Sequence, residues 1–218
     1  LIGAIAHTAL GGIGMGVYLQ QVHQVEWMGP YLGGIIFAVM SAILIGIIRI
    51  RFQEREDTLL GAIWSIGMAL GLIFMAKTPG YIEPMSYLFG NILLISPQDL
   101  SSMALMGCIV IGLVSVFYHK IFAVAFDEEF SRIRGIHANI FYLAMLIISS
   151  ICVVLLIKVV GIILVMALFT LPPALANFFS KKLWQMMIVS TLICILVTTG
   201  GTLISYQQDL PTGPVIIL

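Results

Sequence analysis

The chain has 218 residues, of which 61% are hydrophobic and 9% are charged, and its ten acidic and ten basic side chains give a net charge of zero. A soluble domain carries roughly 25% charged residues, so these charges are too few to cover a water-exposed surface and the composition excludes a soluble globular protein. The zero net charge points to no particular partner, and we expect no nucleic-acid binding.

Long apolar runs between polar segments predict an all-α, polytopic transmembrane helical bundle. A helical run of this length fits the hydrocarbon core of a bilayer, which is about 30 Å thick, and a helix pairs its backbone groups internally. The predicted spans are Ile2–Leu19, Tyr31–Ile48, Leu59–Ala76, Leu100–Tyr118, Ala138–Ile157, Gly161–Phe179 and Trp184–Tyr206, with an eighth that begins at Pro214. We interpret residues 1–218 as a single transmembrane domain, and we expect the protein to continue beyond both ends.

The basic residues predict the orientation of these spans. Most of them fall in connections that alternating spans place on one side of the membrane: Arg49, Arg51, Arg55, Lys120, Arg132, Arg134, Lys181 and Lys182. By the positive-inside rule this side is cytoplasmic. The segments Gln20–Pro30, Lys77–Asp99 and Tyr206–Gly213 then face outward.

The first span is rich in glycine at positions 11, 12, 14 and 16. Two interpretations stay open for this density. Small residues allow close packing of membrane helices, and a run of glycines also suits a flexible or kinked helix beside a pathway.

The same span contains an ionisable side chain, His7. Ionisable groups inside a membrane are costly and are therefore functional candidates. His7 is either a metal-contacting imidazole, since neutral imidazole is a common metal ligand, or a histidine hydrogen-bonded to a neighbouring helix. Met15 lies on the same face about 12 Å further along the helix, so it either lines the same pathway without binding the same ion or is a packing residue.

A charged island, Ala125–Gly135, separates the fourth and fifth spans. Its apolar residues Phe126, Phe130 and Ile133 recur every three or four positions, with Asp127, Glu128, Glu129, Arg132 and Arg134 between them. This spacing predicts a short amphipathic helix. Such a helix is suited to docking against a soluble partner, so we expect the chain to be one subunit of a larger assembly.

The later spans carry two further features. Pro172 and Pro173 have no backbone N–H, so we predict a helix break there, and irregular backbone at membrane depth is tolerated where it is buried or lines a cavity. Asp99 and Asp209 lie at the outward ends of spans. Each either caps a helix or attracts an entering cation, and capping is the favoured interpretation.

The sequence contains no known catalytic constellation. It has no His-Glu-x-x-His, no Gly-x-Ser-x-Gly and no phosphate-binding glycine loop, so we expect neither enzymatic activity nor nucleotide hydrolysis from this chain. Cys108, Cys152 and Cys194 lie in separate spans without Cys-x-x-Cys spacing. They are interpreted as packing residues.

Five motifs follow one another along the chain. They are Ala4–Gly14, Ser86–Leu93, Phe126–Ser131 with Gly135, Lys158–Val165 leading to Leu171–Ala174, and Ser205–Pro214. Together they resemble the integral-membrane permease of ABC importers for divalent transition metals, the zinc/manganese/iron(II) uptake family. The resemblance covers essentially the whole chain and is specific to the family rather than to one metal.

The resemblance implies a homodimeric permease in a prokaryotic cytoplasmic (inner) membrane, working with two cytoplasmic ATPase subunits and an extracytoplasmic metal-binding protein. It implies a divalent metal ion as the transported substrate, with no permanently bound cofactor, and a further span before Leu1. The segment Phe126–Gly135 would be the coupling helix that docks on the ATPase. His7 would fall on a histidine that joins an aspartate one turn earlier in many members, where this chain has Gly3. A channel or scaffold subunit without an ATPase partner is the alternative interpretation.

Overall fold

The computed structural model describes residues 1–51, 56–80, 84–90 and 95–218, which form helices and connecting turns with no strand among them. The helices are α1 (Ile2–Val22), α2 (Pro30–Arg51), α3 (Glu56–Lys77), α4 (Pro84–Phe89), α5 (Pro97–Phe126), α6 (Glu128–Ile133), α7 (Ala138–Phe179), α8 (Leu183–Gln208) and α9 (Thr212–Ile217). Six of these, α1, α2, α3, α5, α7 and α8, are long and apolar enough to cross a membrane. The predicted all-α, polytopic transmembrane class is confirmed. Arg55 and the last three residues of the Ser86–Leu93 motif lie outside the described residues.

The predicted spans coincide with these helices, with one helix containing two of them. Helix α7 has 42 residues and leaves helical geometry at Gly161, where φ is 80° and ψ is 164°. At 1.5 Å per residue it contains about 63 Å of helix, roughly twice the thickness of the hydrocarbon core. It is therefore long enough for both predicted spans, Ala138–Ile157 and Gly161–Phe179. The eighth predicted span begins within α9, which has six residues.

The helix break predicted at Pro172 and Pro173 is not found there. Helix α7 continues through both prolines, and its non-helical residue is Gly161. Pro172 has no N–H for the carbonyl of Leu168, four residues earlier, but the thiol of Cys194 in α8 donates to that oxygen, with Sγ 3.9 Å away. A donor on a neighbouring helix thus serves the carbonyl that the proline leaves free, which is how prolines are tolerated in membrane helices. Cys194 is therefore a hydrogen-bond donor as well as a packing residue.

The chain forms two compact units. The first comprises Leu1–Ile82 and Ser96–Leu155, and the second comprises Glu83–Ile95 and Leu156–Leu218. Helix α7 contributes its beginning to the first unit and the remainder to the second.

In the first unit, glycine lets α1 and α3 approach to backbone contact. A Cβ atom added to Gly11 would lie 2.7 Å from the carbonyl oxygen of Gly67, and one added to Gly14 would lie 2.5 Å from that of Gly71. Both distances are shorter than a real Cβ contact, so only glycine fits at this spacing. The predicted role of small residues in close helix packing is confirmed here.

The other glycines of α1 face α2. Gly12 abuts the backbone of Gly33, and a Cβ atom on Gly16 would lie 2.7 Å from the carbonyl oxygen of Gly29. Helix α1 is continuous over Ile2–Val22. The glycine density of α1 is explained by two packing surfaces on one helix.

In the second unit, the interruption of α7 packs against the end of α4. A Cβ atom on Gly161 would lie 2.6 Å from the carbonyl oxygen of Leu88, and one on Gly90 would lie 2.8 Å from that of Val160. Both glycines also have positive φ, 80° and 63°, a region that L side chains rarely adopt. Gly213 approaches the last residue of α4, where an added Cβ would be 3.1 Å from the carbonyl oxygen. The second, fourth and fifth sequence motifs therefore meet at one backbone cluster.

Candidate functional site

His7 lies in the second turn of α1 and is 5% exposed. Its Nδ1 is 2.7 Å from the carbonyl oxygen of Gly3. Because a carbonyl only accepts hydrogen bonds, Nδ1 carries a proton, and in the neutral ring Nε2 then bears the lone pair. The hydrogen bond of His7 is thus made within its own helix rather than to a neighbouring helix, and Nε2 is the nitrogen with the electronic character of a metal ligand.

The second neighbour of His7 is an aromatic ring. The indole of Trp64 in α3 lies 4.8 Å from the imidazole, measured between ring centroids, with an angle of 51° between the planes. Sequence analysis did not single out Trp64, because an aromatic side chain in an apolar span is typical of packing. Its proximity to His7 follows from the glycine contacts between α1 and α3, which no local pattern in the sequence reveals.

Gly3 contributes a backbone carbonyl at the position where the resemblance places a carboxylate. Within the part of the chain that the structure describes, no group of three or more His, Cys, Asp or Glu side chains could hold a metal ion. The described residues around His7 therefore offer one imidazole nitrogen rather than a closed coordination cage. One nitrogen suits brief contact with an ion that must leave again, since closed sites with four ligands are the structural ones.

Met15 and Asp209 are the other two predicted pathway residues. Met15 is half-buried on α1, two turns further along. Asp209 is exposed and ends α8 in the left-handed region, with φ 52° and ψ 41°, and its backbone N–H bonds to the carbonyl of Ser205. His7 and Met15 belong to the first unit and Asp209 to the second.

Asp99 takes part in the N-terminal cap of α5, as sequence analysis favoured. Ser96 is the N-cap residue, and its Oγ accepts from the backbone N–H of Asp99 at 3.2 Å and donates to the carboxylate at 2.7 Å. This reciprocal arrangement satisfies one of the free N–H groups at the start of the helix.

The charged island forms the predicted short helix, α6. The carboxylate of Asp127 accepts from the N–H of Phe130 at 2.9 Å and caps its start, while Gly135, with φ 77°, lies just beyond its end. Arg132 pairs with Glu128 and also bonds to the side chain of Asn139 at the start of α7, at 2.8 and 2.7 Å. These bonds hold a six-residue helix that would not be stable by itself.

The apolar residues of α6 and its approach face outward. Phe126 is 83% exposed, Phe130 49% and Ile133 80%, whereas Ser131 is fully buried. The guanidinium of Arg134 lies 4.8 Å from the centre of the Phe130 ring. Clustered exposed apolar side chains framed by charges are typical of a surface that contacts another protein or a membrane.

Helix α5 extends well past the predicted span, which ended at Tyr118. Its 30 residues correspond to about 45 Å, so it exceeds a hydrocarbon core of about 30 Å. Along its last turns the rings of Tyr118, Phe122 and Phe126 follow one another with centroid separations of 6.3 and 5.4 Å. This aromatic row leads directly to α6.

Comparison with known proteins places the chain among transport proteins. The sequence model of the ABC 3 transport family matches residues 1–218. A "Probable metal transport system membrane protein" of Chlamydia pneumoniae is 38% identical over 217 residues, which cover 99% of this chain and 74% of the relative.

More distant relatives are also named for metal transport, and a solved structure has the same fold. The "High-affinity zinc uptake system membrane protein ZnuB" of Buchnera aphidicola is 29% identical, over 98% of this chain and 80% of that protein. The "Manganese import system permease protein ScaB" of Streptococcus parasanguinis is 26% identical, over 99% and 74%. The structure of PsaBC from Streptococcus pneumoniae in complex with Fab has the same fold, with a TM-score of 0.82, 23% identity, and coverage of 99% of this chain and 76% of that chain.

Proposed function

The chain belongs to the ABC 3 transport family, and on this premise we propose that it is the permease subunit of an ATP-binding-cassette importer for a divalent transition metal ion. It is a multi-pass protein of the cell membrane, with six apolar helices long enough to cross it. Relatives named for zinc and for manganese support a metal of this class. In this proposal a separate ATPase hydrolyses ATP, and the permease admits the ion by alternating access to the two sides of the membrane.

The assembly that we propose is a homodimer of the permease with two cytoplasmic ATPase subunits and an extracytoplasmic metal-binding protein. The observation that carries this proposal is the capped helix α6 together with the end of α5, where Ile133 and Phe126 are exposed over more than three-quarters of their surface. In the alternative, a channel or scaffold subunit without an ATPase, this surface would be free or would bind another partner. We assign residues 126–135 to docking on the ATPase, with Asp127 as the cap, Glu128 and Glu129 as flanking charges and Gly135 as the end of the segment.

The docking assignment is tested with Phe126→Ser combined with Ile133→Ser in the complete complex. Residues at an interface hot spot cost about 2 kcal/mol or more when truncated, so ATPase co-purification and metal-stimulated ATP hydrolysis should both fall at least tenfold. Phe178→Ser is the matched control, because Phe178 has the same 83% exposure as Phe126. Normal co-purification and normal coupled hydrolysis in the double variant would favour the channel or scaffold interpretation.

The metal pathway that we propose includes His7, Met15 and Asp209. Nε2 of His7 contacts the passing ion, the half-buried thioether of Met15 lines the pathway further along α1, and the exposed carboxylate of Asp209 attracts the entering cation. Partners for His7 come from a second copy of the chain or from a polar group on another helix. Such a transient site needs fewer ligands than a structural metal site.

The test of this pathway is His7→Gln, with uptake of radioactive zinc and manganese measured in cells that contain the complete importer. Glutamine keeps a polar side chain but has no imidazole nitrogen, so uptake should fall nearly as far as in His7→Ala while the amount of folded permease in the membrane is unchanged. Normal uptake by His7→Gln would make His7 a structural hydrogen-bonding residue and would leave Asp209 as the next candidate.

A further inference from the structure

We propose that Trp64 is a positioning residue for His7, one that fixes the imidazole so that Nε2 meets the transported ion. This inference rests on the proposed metal pathway. It starts from two contacts made by one buried ring: the hydrogen bond from Nδ1 to the Gly3 carbonyl, 2.7 Å long, and the indole of Trp64 with its centroid 4.8 Å away.

The two contacts restrain different motions of the imidazole. The bond to Gly3 holds the Nδ1 edge, because a half-turn of the ring would replace Nδ1 by a carbon atom that cannot donate in the same way. The indole of α3 lies against the imidazole at an angle of 51° between the planes and opposes movement of the ring toward that helix. Together they leave Nε2 pointing in one direction, which is the preorganisation that a contact with a passing ion requires.

The contact with Trp64 also strengthens when an ion binds. A divalent ion at Nε2 withdraws electron density and makes the imidazole more positive, and the face of tryptophan attracts positive charge more strongly than other aromatic side chains do. Trp64 therefore stabilises the ion-contacting state of His7 more than the free state. Its loss should weaken the apparent affinity for the ion before it affects the maximal rate.

Backbone contacts place Trp64 beside His7. Gly67, one turn beyond Trp64 in α3, would have its Cβ only 2.6 Å from the Cα of Thr8, the residue that follows His7. A contact between two backbones leaves little freedom in the register of α1 against α3. The indole is consequently held against the imidazole by the packing of the helices and not by a flexible side chain alone.

The test compares Trp64→Phe, Trp64→Leu and Trp184→Leu in the complete importer. Trp64 and Trp184 are matched in exposure, at 48% and 49%, and Trp184 lies in α8 of the other unit. One measurement is the concentration dependence of zinc and manganese uptake. The other is NMR of isotope-labelled histidine in the purified permease, in which the His7 signals are identified by their loss in His7→Gln and report the tautomer and the mobility of the ring.

Trp64→Leu should raise the half-saturating metal concentration about two- to tenfold, the factor that corresponds to a typical aromatic pair, with little change in the maximal rate. The His7 signals should show a more mobile ring that keeps its Nδ1-protonated tautomer, because the hydrogen bond to the Gly3 carbonyl remains. Trp64→Phe should lie between, and Trp184→Leu should resemble the unmodified protein. Unchanged uptake and unchanged His7 signals in Trp64→Leu would overturn the inference, as would a loss of maximal rate alone. Failure of the pathway itself is a separate result, because His7→Gln would then transport normally whatever Trp64 does.

Discussion

The contact between α1 and α3 predicts that one methyl group at Gly11 destabilises the first unit. In Gly11→Ala the new Cβ would lie 2.7 Å from the carbonyl oxygen of Gly67, whereas ordinary contacts begin at 3.4 Å. The two helices must therefore separate by about 0.7 Å, the difference between these distances. The obstructing atom belongs to a helical backbone, so it cannot rotate away.

The cost of this separation can be isolated with a matched variant. Overpacking by a methyl group typically costs about 1–3 kcal/mol, while replacing a helical glycine by alanine gains about 0.5–1 kcal/mol. Gly112 lies in α5, and a Cβ atom added there would lie in open space. Gly112→Ala should therefore gain helix stability without a clash. The difference in unfolding free energy between the two variants should therefore be about 1–3 kcal/mol.

The assay is the unfolding of purified permease in detergent, followed by helical circular dichroism, for the unmodified protein and both variants. Gly11→Ala should unfold at lower temperature or lower denaturant than Gly112→Ala, and metal uptake by Gly11→Ala should fall because Trp64 no longer lies at its proper distance from His7. Equal stability of the two variants would refute the close packing of α1 on α3. It would also remove the reason given for the position of Trp64.

Three further outcomes follow from the structure. In a background without the native cysteines, Glu129→Cys should be protected from an impermeant thiol reagent in intact cells, whereas Gln208→Cys should be labelled. Labelling of Glu129→Cys from outside would reverse the predicted orientation. Gly161→Ala should lose about 2 kcal/mol or more of stability, because alanine is strained at positive φ and meets the backbone of α4; unfolding like that of the unmodified protein would contradict the cluster at Gly161. Asp209→Asn should raise the half-saturating metal concentration and leave stability within about 0.5 kcal/mol, since asparagine tolerates the left-handed region, and unchanged uptake would reduce Asp209 to a helix cap.

The spans could be predicted from the sequence because a membrane imposes one rule on every segment: an apolar run of sufficient length must be a helix. Helix α6 was also predictable, since its 3–4 residue spacing is contained in a few turns. The short helix α4 was not predicted, because Pro84–Phe89 is too short for a span and has no clear periodicity. The prediction at Pro172 was wrong because the donor that serves the Leu168 carbonyl comes from Cys194, 26 residues away.

The candidate site could be predicted only in part, because some of its contacts join parts of the chain that are distant in sequence. His7 could be found because an ionisable residue in an apolar span is conspicuous in the sequence. Its neighbours could not be found in the same way. Gly3 acts through a backbone carbonyl, which every residue possesses, and Trp64 contacts His7 through the packing of two helices. The glycines of α1 gave a visible signal, but their division between two partner helices depends on the direction that each one faces.

The bond between Cys194 and Leu168 affects how the chain should be prepared for labelling with thiol reagents. Alanine at position 194 would remove the donor, and the Leu168 carbonyl would then have neither the thiol nor an N–H from residue 172, which is a proline. Serine keeps a hydroxyl donor at the same Cβ and is the better replacement there. At Cys108, which is exposed, alanine is suitable, so a cysteine-free permease is best built with a different residue at each site.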